Sequence, residues 1–313
     1  MLSSLRGNNI HLPLFYQLSN LHYNFRMILI TGATGFAGRS LTAQFIEAGI
    51  EFKTYNGRIN DPFKLREQLK DITVVIHLAG AEARGRDRLL RHIDLQGTMR
   101  LLEECQRVEV RHFIYISRMN ANPDVIHPLL KIKGEVERLI QKSGIPYTIL
   151  RSASLYGRTD RFFEILVSLA IWSWPFVFLP GWGHMSFQPL WVEDFIHCIM
   201  LTIKRPELIG KTITLAGEER IPYNELMRQL LLVSGHRRLA IPLPMTLTRL
   251  FSRFLFSWWY WPAVSRYFVD RFFVPELTDY DTVMRHFGFR PRPLKENLSY
   301  LKRSGLRWRL FRR

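Results

Sequence analysis

From Met27 onward, the chain alternates between two patterns of hydrophobic and polar positions. Short, continuous apolar runs such as Met27–Thr31 are typical of strands buried in a parallel sheet. Between these runs, apolar residues recur at helical spacing, as in Ser40–Ala48, which Gly49 ends. The predicted strands are 27–31, 51–55, 73–78, 112–117, 147–151 and 212–216, and the predicted helices are 40–48, 62–69, 88–107, 128–143, 192–203 and 223–233.

Strands and helices in alternation predict an α/β fold with a doubly wound parallel sheet, because consecutive parallel strands need right-handed crossovers. Beyond Arg151 the alternation loosens and aromatic residues concentrate. We therefore expect a core domain over residues 27–160 and a smaller, aromatic-rich C-terminal lobe over residues 161–313. Segments of that lobe, at about residues 187–216, are expected to return to the core. Residues 1–26 show neither period, which predicts a disordered extension or a misannotated start.

Three glycines lie between the first predicted strand and the first predicted helix, in the segment Gly32-Ala-Thr-Gly-Phe-Ala-Gly38. Gly32 permits a tight turn, Gly35 lets the backbone approach a ligand, and Gly38 lets the helix pack closely on the strand. The N-terminus of that helix offers free N–H groups and the positive end of its dipole to a phosphate. In this strand–turn–helix context, the glycines predict a dinucleotide site. The residues expected there are Gly32, Thr34, Gly35, Phe36, Ala37, Gly38 and Arg39.

The spacing of these glycines resembles that of extended and atypical short-chain dehydrogenases/reductases, a family that includes epimerases and dehydratases. Further landmarks match in order: 76–80 (IHLAG), 97–98, 113–117 (FIYIS), 150–151, 156–157, 187–189 and 192–194. The segment 181–194 and the FGFRP sequence ending at Pro291 resemble the atypical group that contains the 39 kDa accessory subunit of respiratory complex I. The resemblance covers about residues 27–235 and implies a Rossmann sheet. It also implies dinucleotide contacts from Leu78, Ala79, Gly80, Ser117 and Lys133.

The choice between the two nicotinamide dinucleotides depends on the end of the second strand. NAD-selective sites place an Asp or Glu there to bond the adenine ribose hydroxyls. Here that place falls at about Asn56, with no carboxylate beside it. Arg58 and Arg39 instead offer guanidinium groups to a 2′-phosphate, which favours NADP(H) over NAD(H). The alternative for both arginines is solvated surface charge. By the family match, Arg58 also occupies the place of an Asp that touches the adenine in relatives.

The resemblance further implies a catalytic Tyr four residues before a Lys, and a Ser that positions the substrate oxygen. Lys133 matches the Lys, but Leu129 occupies the place of the Tyr and Arg118 that of the Ser, with Ser117 beside it. Asp94 replaces an Asn that is usual in the family. We therefore expect no catalytic residues of the usual kind, and Lys133 is expected to anchor the ribose. The residues considered as replacement acids are Tyr115, Tyr156 and His127, of which His127 fits best.

The composition adds a strong positive charge to this picture. There are 44 Lys and Arg residues against 27 Asp and Glu, a net charge of +17. Such an excess favours anionic partners, namely a phosphate-bearing cofactor, an acidic membrane surface or nucleic acid. Nucleic acid is the least supported, since no nucleic-acid-binding motif is present. Cys105 and Cys198 form no CxxC pair and no metal-ligand spacing, so we expect a reducing, intracellular setting and no metal.

Two aromatic segments raise the question of membrane contact. Residues 162–180 are too short and too interrupted for a transmembrane helix. Residues 251–261 resemble an interfacial segment, with tryptophans suited to the headgroup zone and arginines around them. The basic end of the chain, 307–313, favours an anionic surface. The alternative is an aromatic lobe core whose basic residues face water.

Three functions are compatible with these features. The favoured one is an NADP(H)-binding structural, assembly or redox-sensing protein, linked to a membrane or to a respiratory or quinone system. The second is an active NAD(P)H-dependent reductase or epimerase with a non-standard acid. The third is nucleic-acid or regulator binding through the basic surface. The expected location is cytoplasmic and peripheral on the inner face of a membrane, with the partner complex and the oligomeric state left open.

Overall fold

The computed structural model describes residues 27–84, 86–248, 250, 266–302 and 305–311. The predicted extension, 1–26, and the predicted interfacial segment, 251–261, lie outside the described residues. The described strands are β1 (Ile28–Thr31), β2 (Phe52–Thr54), β3 (Val74–His77), β4 (His112–Arg118), β5 (Tyr147–Ser152), β6 (Leu155–Tyr156), β7 (Phe176–Pro180), β8 (Ser186–Phe187), β9 (Leu190–Trp191), β10 (Thr212–Leu215), β11 (Ile221–Pro222) and β12 (Leu239–Leu243). The described helices are α1 (Phe36–Glu47), α2 (Pro62–Gln68), α3 (Asp87–Leu90), α4 (Gly97–Arg107), α5 (Pro128–Lys142), α6 (Phe163–Trp172), α7 (Val192–Lys204), α8 (Tyr223–Val233), α9 (Arg266–Asp270) and α10 (Thr282–Phe287).

Six of the described strands form one sheet in the order β10-β5-β4-β3-β1-β2. Every pairing in this sheet is parallel. The strand order reverses at β1, which has β3 on one side and β2 on the other. In a doubly wound sheet, the carboxyl ends of the strands at such a switch point open a crevice for ligands. The predicted α/β fold with a doubly wound parallel sheet is confirmed.

Helices cover both faces of the sheet because its strands are apolar on both sides. Leu41 of α1 and Phe195 of α7 are buried in the hydrophobic cluster on one face. Leu101 of α4 and Val136 of α5 are buried in the cluster on the opposite face. Helix α1 begins at Phe36, four residues before the predicted start, since the glycine and alanine positions of its first turn carry no helical pattern.

The predicted helix over residues 88–107 is interrupted. It consists of α3, a π-helical turn over Arg91–Gln96, and α4. An amphipathic pattern does not reveal a π-turn, because such a turn adds one residue without breaking the helix. The turn leaves Asp94 buried.

Beyond β6, the chain builds a second core in which aromatic rings meet edge to face or tilted. Phe162 packs against Phe187 at 5.3 Å and against Phe268 at 5.6 Å between ring centroids. Helices α6 and α8 and the inner face of β7 enclose this cluster. Strand β10 pairs with β5, and α7 packs on the main sheet. The domain boundary near residue 160 stays a prediction.

Among the described residues, no helix combines the length and the apolar character that crossing a bilayer would require.

Two histidines are buried within the main sheet and bonded to hydroxyl groups. His77 lies 2.6 Å from the Thr31 hydroxyl and 2.9 Å from the Thr98 hydroxyl, and His112 lies 2.8 Å from the Thr148 hydroxyl. Burial lowers the pKa of His77 to about 3, with a further contribution from the nearby Lys133 ammonium. Burial also lowers the pKa of His112 to about 4. Both side chains are therefore neutral in the folded protein near neutral pH.

We expect these histidines to make the fold sensitive to mild acid. The unfolded chain takes up protons near pH 6.5, whereas the folded chain does not until much lower pH, so protonation favours unfolding below pH 6.5. The free energy of unfolding should fall by up to about 1.4 kcal/mol per pH unit for each histidine between these limits. Urea unfolding at a series of pH values measures this slope. His112→Gln should flatten it, and an unchanged slope would contradict a neutral, buried His112.

Candidate functional site

The glycine loop between β1 and α1 forms a close-packed turn. Gly32 has a φ of 74°, and a Cβ there would lie 2.5 Å from the Ala79 backbone nitrogen. A Cβ at Gly38 would collide with the Gly32 carbonyl oxygen. Gly35 is the N-cap of α1 and provides no side-chain cap, so the N–H groups of the first helical turn face outward without a side-chain acceptor. These features fit a pyrophosphate at the helix N-terminus.

The segment after β3 lies against this loop at the same edge of the sheet. The Leu78 N–H donates to the Thr31 carbonyl oxygen at 3.1 Å. The next glycine, Gly80, has no room for a side chain, since a Cβ would lie 2.9 Å from a carboxylate oxygen of Asp94 and 3.5 Å from Lys133 Nζ. The predicted dinucleotide residues of the glycine loop and of positions 78–80 are thus brought together.

A cleft of about 250 Å³ opens at this edge of the sheet. The residues that line it include Phe36, Leu78, Gly80, Glu82, Ser117, Arg118, Lys133, Leu155, Arg161, Phe162, Phe268 and Arg271. The Ser117 hydroxyl is buried and has no hydrogen-bond partner in the part of the chain that the structure describes. A buried hydroxyl without a partner commonly marks a place that a ligand or water fills. Together with the glycine loop, the cleft fits a nicotinamide dinucleotide.

The π-helical turn supplies a buried ion pair beneath the cleft. Lys133 Nζ lies 3.0 Å from Asp94 Oδ1, and Asp94 Oδ2 accepts from the Ala81 N–H at 2.7 Å. Burial alone would lower the pKa of Lys133, but the neighbouring Tyr115 hydroxyl and the Asp94 carboxylate raise it above its ordinary value. Lys133 therefore stays charged and fixed, as an anchor for a sugar hydroxyl requires.

The place one helical turn before Lys133 on α5 is occupied by Leu129, which is buried. Its side chain lines a separate cavity of about 30 Å³ and not the main cleft. A residue at this position on a helix is a direct neighbour of Lys133, which is why a Tyr–Lys pair needs this spacing. Leu129 and Lys133 have the spacing that a Tyr–Lys pair needs, but a leucine side chain has no proton to donate.

Arg118 lies at the end of β4 and closes the inner end of the cleft with an ion pair. Its guanidinium donates to Glu276 Oε1 at 2.8 Å, and its Nε lies 4.0 Å from Glu82 Oε1. Arg271 donates to Glu82 at 2.9 Å and to the Ser154 hydroxyl at 3.0 Å. Glu276 also accepts the Ser154 N–H at 2.7 Å. We call these four charged residues, Arg118, Arg271, Glu82 and Glu276, the cleft ion-pair network.

Within this network, Glu82 is held in its charged form. Burial would raise the pKa of Glu82, but the Arg118 and Arg271 guanidinium groups, with Lys133 behind them, lower it to about 2. The side chains of Arg118 and Arg271 are only 12% and 16% exposed. Each arginine therefore has a nearby carboxylate in place of solvent.

Sequence reasoning missed most of this network. Glu82, Arg271 and Glu276 belong to no motif, and Glu276 is separated from Arg118 by 158 positions in the chain. The one available signal was Arg118 itself, because an arginine at a buried strand end requires an acidic partner.

The three residues considered as replacement acids do not line the main cleft. Burial raises the pKa of Tyr115 to about 12, although the Lys133 ammonium opposes the shift. Tyr156 packs against Phe163 and Trp191, and its burial also raises its pKa. His127 is the N-cap of α5 and lines the smaller cavity.

The two arginines predicted to meet a 2′-phosphate have different surroundings. Arg39 donates to the Thr34 carbonyl oxygen at 2.5 Å and to the Thr159 hydroxyl at 3.0 Å. Arg58 lies in the exposed loop after β2, where its carbonyl oxygen accepts the Tyr55 hydroxyl at 2.8 Å. The Arg58 guanidinium makes no ion pair within the described residues.

Comparison with known proteins extends these observations. Residues 51–165 match the model of a family described as NAD(P)H-binding. The photosystem II assembly factor Ycf39 of Trieres chinensis is 24% identical over 254 aligned residues, which span 75% of this chain and 77% of the relative. NADH dehydrogenase [ubiquinone] 1 alpha subcomplex subunit 9, mitochondrial, of Rattus norvegicus is 24% identical over 311 aligned residues, spanning 88% and 79% of the two chains.

Among solved structures, UDP-glucose 4-epimerase of Thermotoga maritima with UDP-glucose superposes with a TM-score of 0.69. The identity is 19%, and the match covers 88% of this chain and 97% of the epimerase, so the likeness concerns the fold. The expected binding of a nicotinamide dinucleotide and the resemblance to the complex I 39 kDa subunit are confirmed, whereas the residues that form the dinucleotide site stay a prediction. The chain is therefore similar to the NAD(P)-binding, atypical short-chain dehydrogenases/reductases of the group that contains the 39 kDa subunit of complex I.

Proposed function

We propose that this protein binds NADP(H) without transferring hydride, and that it acts as a structural or assembly component of a membrane-associated complex. The observation that carries this proposal is the cleft ion-pair network, which fills the position of the catalytic Ser with Arg118. In this role the bound dinucleotide stabilises the fold, and the protein can act as a sensor of the redox state of NADP(H).

Hydride transfer in this family needs a proton donor beside the reacting carbon. Leu129 offers none at the expected place, and Tyr115 is kept protonated and away from the cleft. A substrate oxygen would also have to displace Arg118 from Glu276. Removing one partner of a buried ion pair costs about 3–5 kcal/mol, because the other charge is left without compensation. The network therefore opposes both the binding and the chemistry of a substrate.

Binding without chemistry still has a physical effect. A ligand present at 100 times its dissociation constant stabilises a fold by about 2.7 kcal/mol. The dinucleotide would contact β1, β3, β4 and α5 together, and so would stiffen the edge of the sheet where the C-terminal lobe is attached. A protein whose shape depends on bound NADP(H) is suited to report the cellular supply of that dinucleotide.

The relatives support a role of this kind. One is described as a photosystem II assembly factor and another as a subunit of NADH dehydrogenase, and both names denote work within a larger assembly. We propose a comparable role here, with the protein in the cytoplasm and peripheral on the inner face of a membrane.

A second candidate is an active reductase or epimerase. Ser117 favours it, since this serine lies next to the place that the resemblance gives to the catalytic Ser and lines the cleft together with Lys133. The protein would then need an acid other than the family's tyrosine.

Gly35→Asp separates dinucleotide binding from folding. Its carboxylate should repel the pyrophosphate at the N-terminus of α1, so the purified protein should lose its dinucleotide, as measured by mass spectrometry after denaturation. The helix itself should tolerate the change, because Asp is a favourable N-cap. Gly35→Asn has nearly the same shape without the charge and should retain more dinucleotide. Equal retention in both variants would contradict the proposed position of the pyrophosphate.

Arg58→Gln tests the preference for NADP(H). Losing a charge-assisted contact to the 2′-phosphate should weaken NADPH binding by about tenfold or more. NADH has no such phosphate, so its affinity should change by less than about twofold. Titration calorimetry with both dinucleotides gives the two values. Equal weakening of both, or of neither, would remove Arg58 from the site.

The holoprotein should not oxidise its bound NADPH. The absorbance of the bound NADPH at about 340 nm should stay constant when candidate quinones and carbonyl compounds are added, because neither Leu129 nor Arg118 can donate the proton that a reduced substrate needs. Turnover that survives in Leu129→Ala but disappears in Gly35→Asp would establish an enzyme with a replacement acid and would end the non-catalytic proposal.

A further inference from the structure

A small sheet on the C-terminal lobe is apolar on both faces. Strands β7 and β12 pair in parallel, with Phe176 opposite Leu239 and Phe178 opposite Ile241. The alternate residues of β7, Val177 and Leu179, are buried in the lobe core. Phe176 and Phe178 therefore point away from the core, and the Phe178 side chain is 45% exposed. A sheet with one face toward water ordinarily carries polar residues on that face.

Exposed tryptophans extend this surface at both ends of β7. Trp172 ends α6, and Trp174, which is 73% exposed, lies between α6 and β7. Trp182 follows β7 and is 57% exposed. We call the set Trp172, Trp174, Phe176, Phe178, Trp182 and Leu239 the aromatic face.

The backbone holds Trp182 in an unfavourable conformation. Its φ is 62°, and Gly181 and Gly183 on either side have φ values of 58° and 74°. A bulky residue adopts the left-handed region at a cost that the surrounding structure must offset, and such strain is concentrated at functional positions. A Cβ at Gly181 would lie 3.0 Å from the terminal methyl group of Met245, so the turn packs closely against that side chain while Trp182 stays 57% exposed.

Basic side chains border the aromatic face. Residues 165–192, which supply most of the face, contain no charged side chain. Residues 226–269 contain six arginines and no Asp or Glu, and residues 297–313 contain six basic residues and no Asp or Glu. Two of these arginines border the face directly. Arg307 lies 4.8 Å from the centroid of the Trp172 ring, and Arg238 donates to the Ala170 carbonyl oxygen at 2.6 Å.

We propose that the aromatic face docks on the surface of a lipid bilayer that carries anionic headgroups. Tryptophan is suited to the boundary between headgroups and acyl chains, since its ring is apolar and its N–H is polar. Arg238 and Arg307 at the rim of the face meet the phosphates. This inference rests on the proposed function and deepens it, because it names the membrane surface that the protein uses.

Vesicle flotation of the dinucleotide-loaded protein tests the proposal. The protein should float with vesicles of phosphatidylcholine and phosphatidylglycerol and much less with phosphatidylcholine alone. Lipids with brominated acyl chains should quench its tryptophan fluorescence. Trp174→Ser combined with Phe178→Ser should lower the partition coefficient by at least about tenfold, since two large aromatic side chains no longer enter the boundary.

Matched variants control for exposure and for charge. Phe63→Ser removes a phenylalanine that is 81% exposed on α2, far from the lobe, and should float like the unsubstituted protein. Arg237→Gln, next to β12, should weaken partitioning by about fivefold, whereas Arg111→Gln, before β4, should not. Each variant is also checked for its melting temperature and its bound dinucleotide, so that misfolding is recognised.

Three results would overturn the proposal. The first is no flotation with anionic vesicles, and the second is equal flotation of the double variant. The third is a dimer that dissociates in the double variant while flotation is unchanged, which would mean that a second copy covers the face. Turnover of NADPH in these same samples would instead defeat the proposed function and leave the flotation result standing.

Discussion

The buried ion pair between Arg118 and Glu276 is the interaction on which the arrangement of the cleft depends. Arg118 ends a central strand of the sheet, and Glu276 comes from the C-terminal lobe. Glu276 also accepts the Ser154 N–H, so the same carboxylate holds the chain where it leaves β5. Two buried charges that satisfy one another resist separation, because either would be costly alone. The position of the lobe and the closure of the cleft are therefore coupled in one network.

Most of the core could be predicted from the sequence because its patterns are local. The helix predicted over 128–143 is observed as Pro128–Lys142, and the strand predicted over 147–151 as Tyr147–Ser152. Such elements follow from the spacing of neighbouring apolar residues. The π-helical turn at Arg91–Gln96 could not be predicted in this way, since it shifts the helical register without changing the composition. That turn buries Asp94 beside Lys133. The ion pair beneath the cleft therefore depends on a π-helical turn that the spacing of apolar residues does not reveal.

The candidate site also contains parts that the sequence predicts and parts that it does not. The glycine loop could be predicted because each glycine stands where a side chain would collide with nearby backbone, as the closeness of Gly32 to Ala79 illustrates. The identity of the residues that face Arg118 could not, since they come from distant segments without a motif. Arg39 is an intermediate case. Its position beside the loop follows from the sequence, but its contacts with Thr34 and Thr159 arise only when residues 120 positions apart meet.

The positive charge of the chain is distributed according to these two environments. Inside the cleft, Arg118 and Arg271 each face a carboxylate, so the charges of these two arginines are compensated there. On the C-terminal lobe, Arg238 and Arg307 border the aromatic face. Compensated charge in a buried site fixes geometry, whereas uncompensated charge at a surface attracts anions over a distance of about a Debye length, roughly 8 Å in physiological salt. Arginines are thus paired with carboxylates inside the cleft, whereas Arg238 and Arg307 beside the aromatic face are placed to attract an anionic surface.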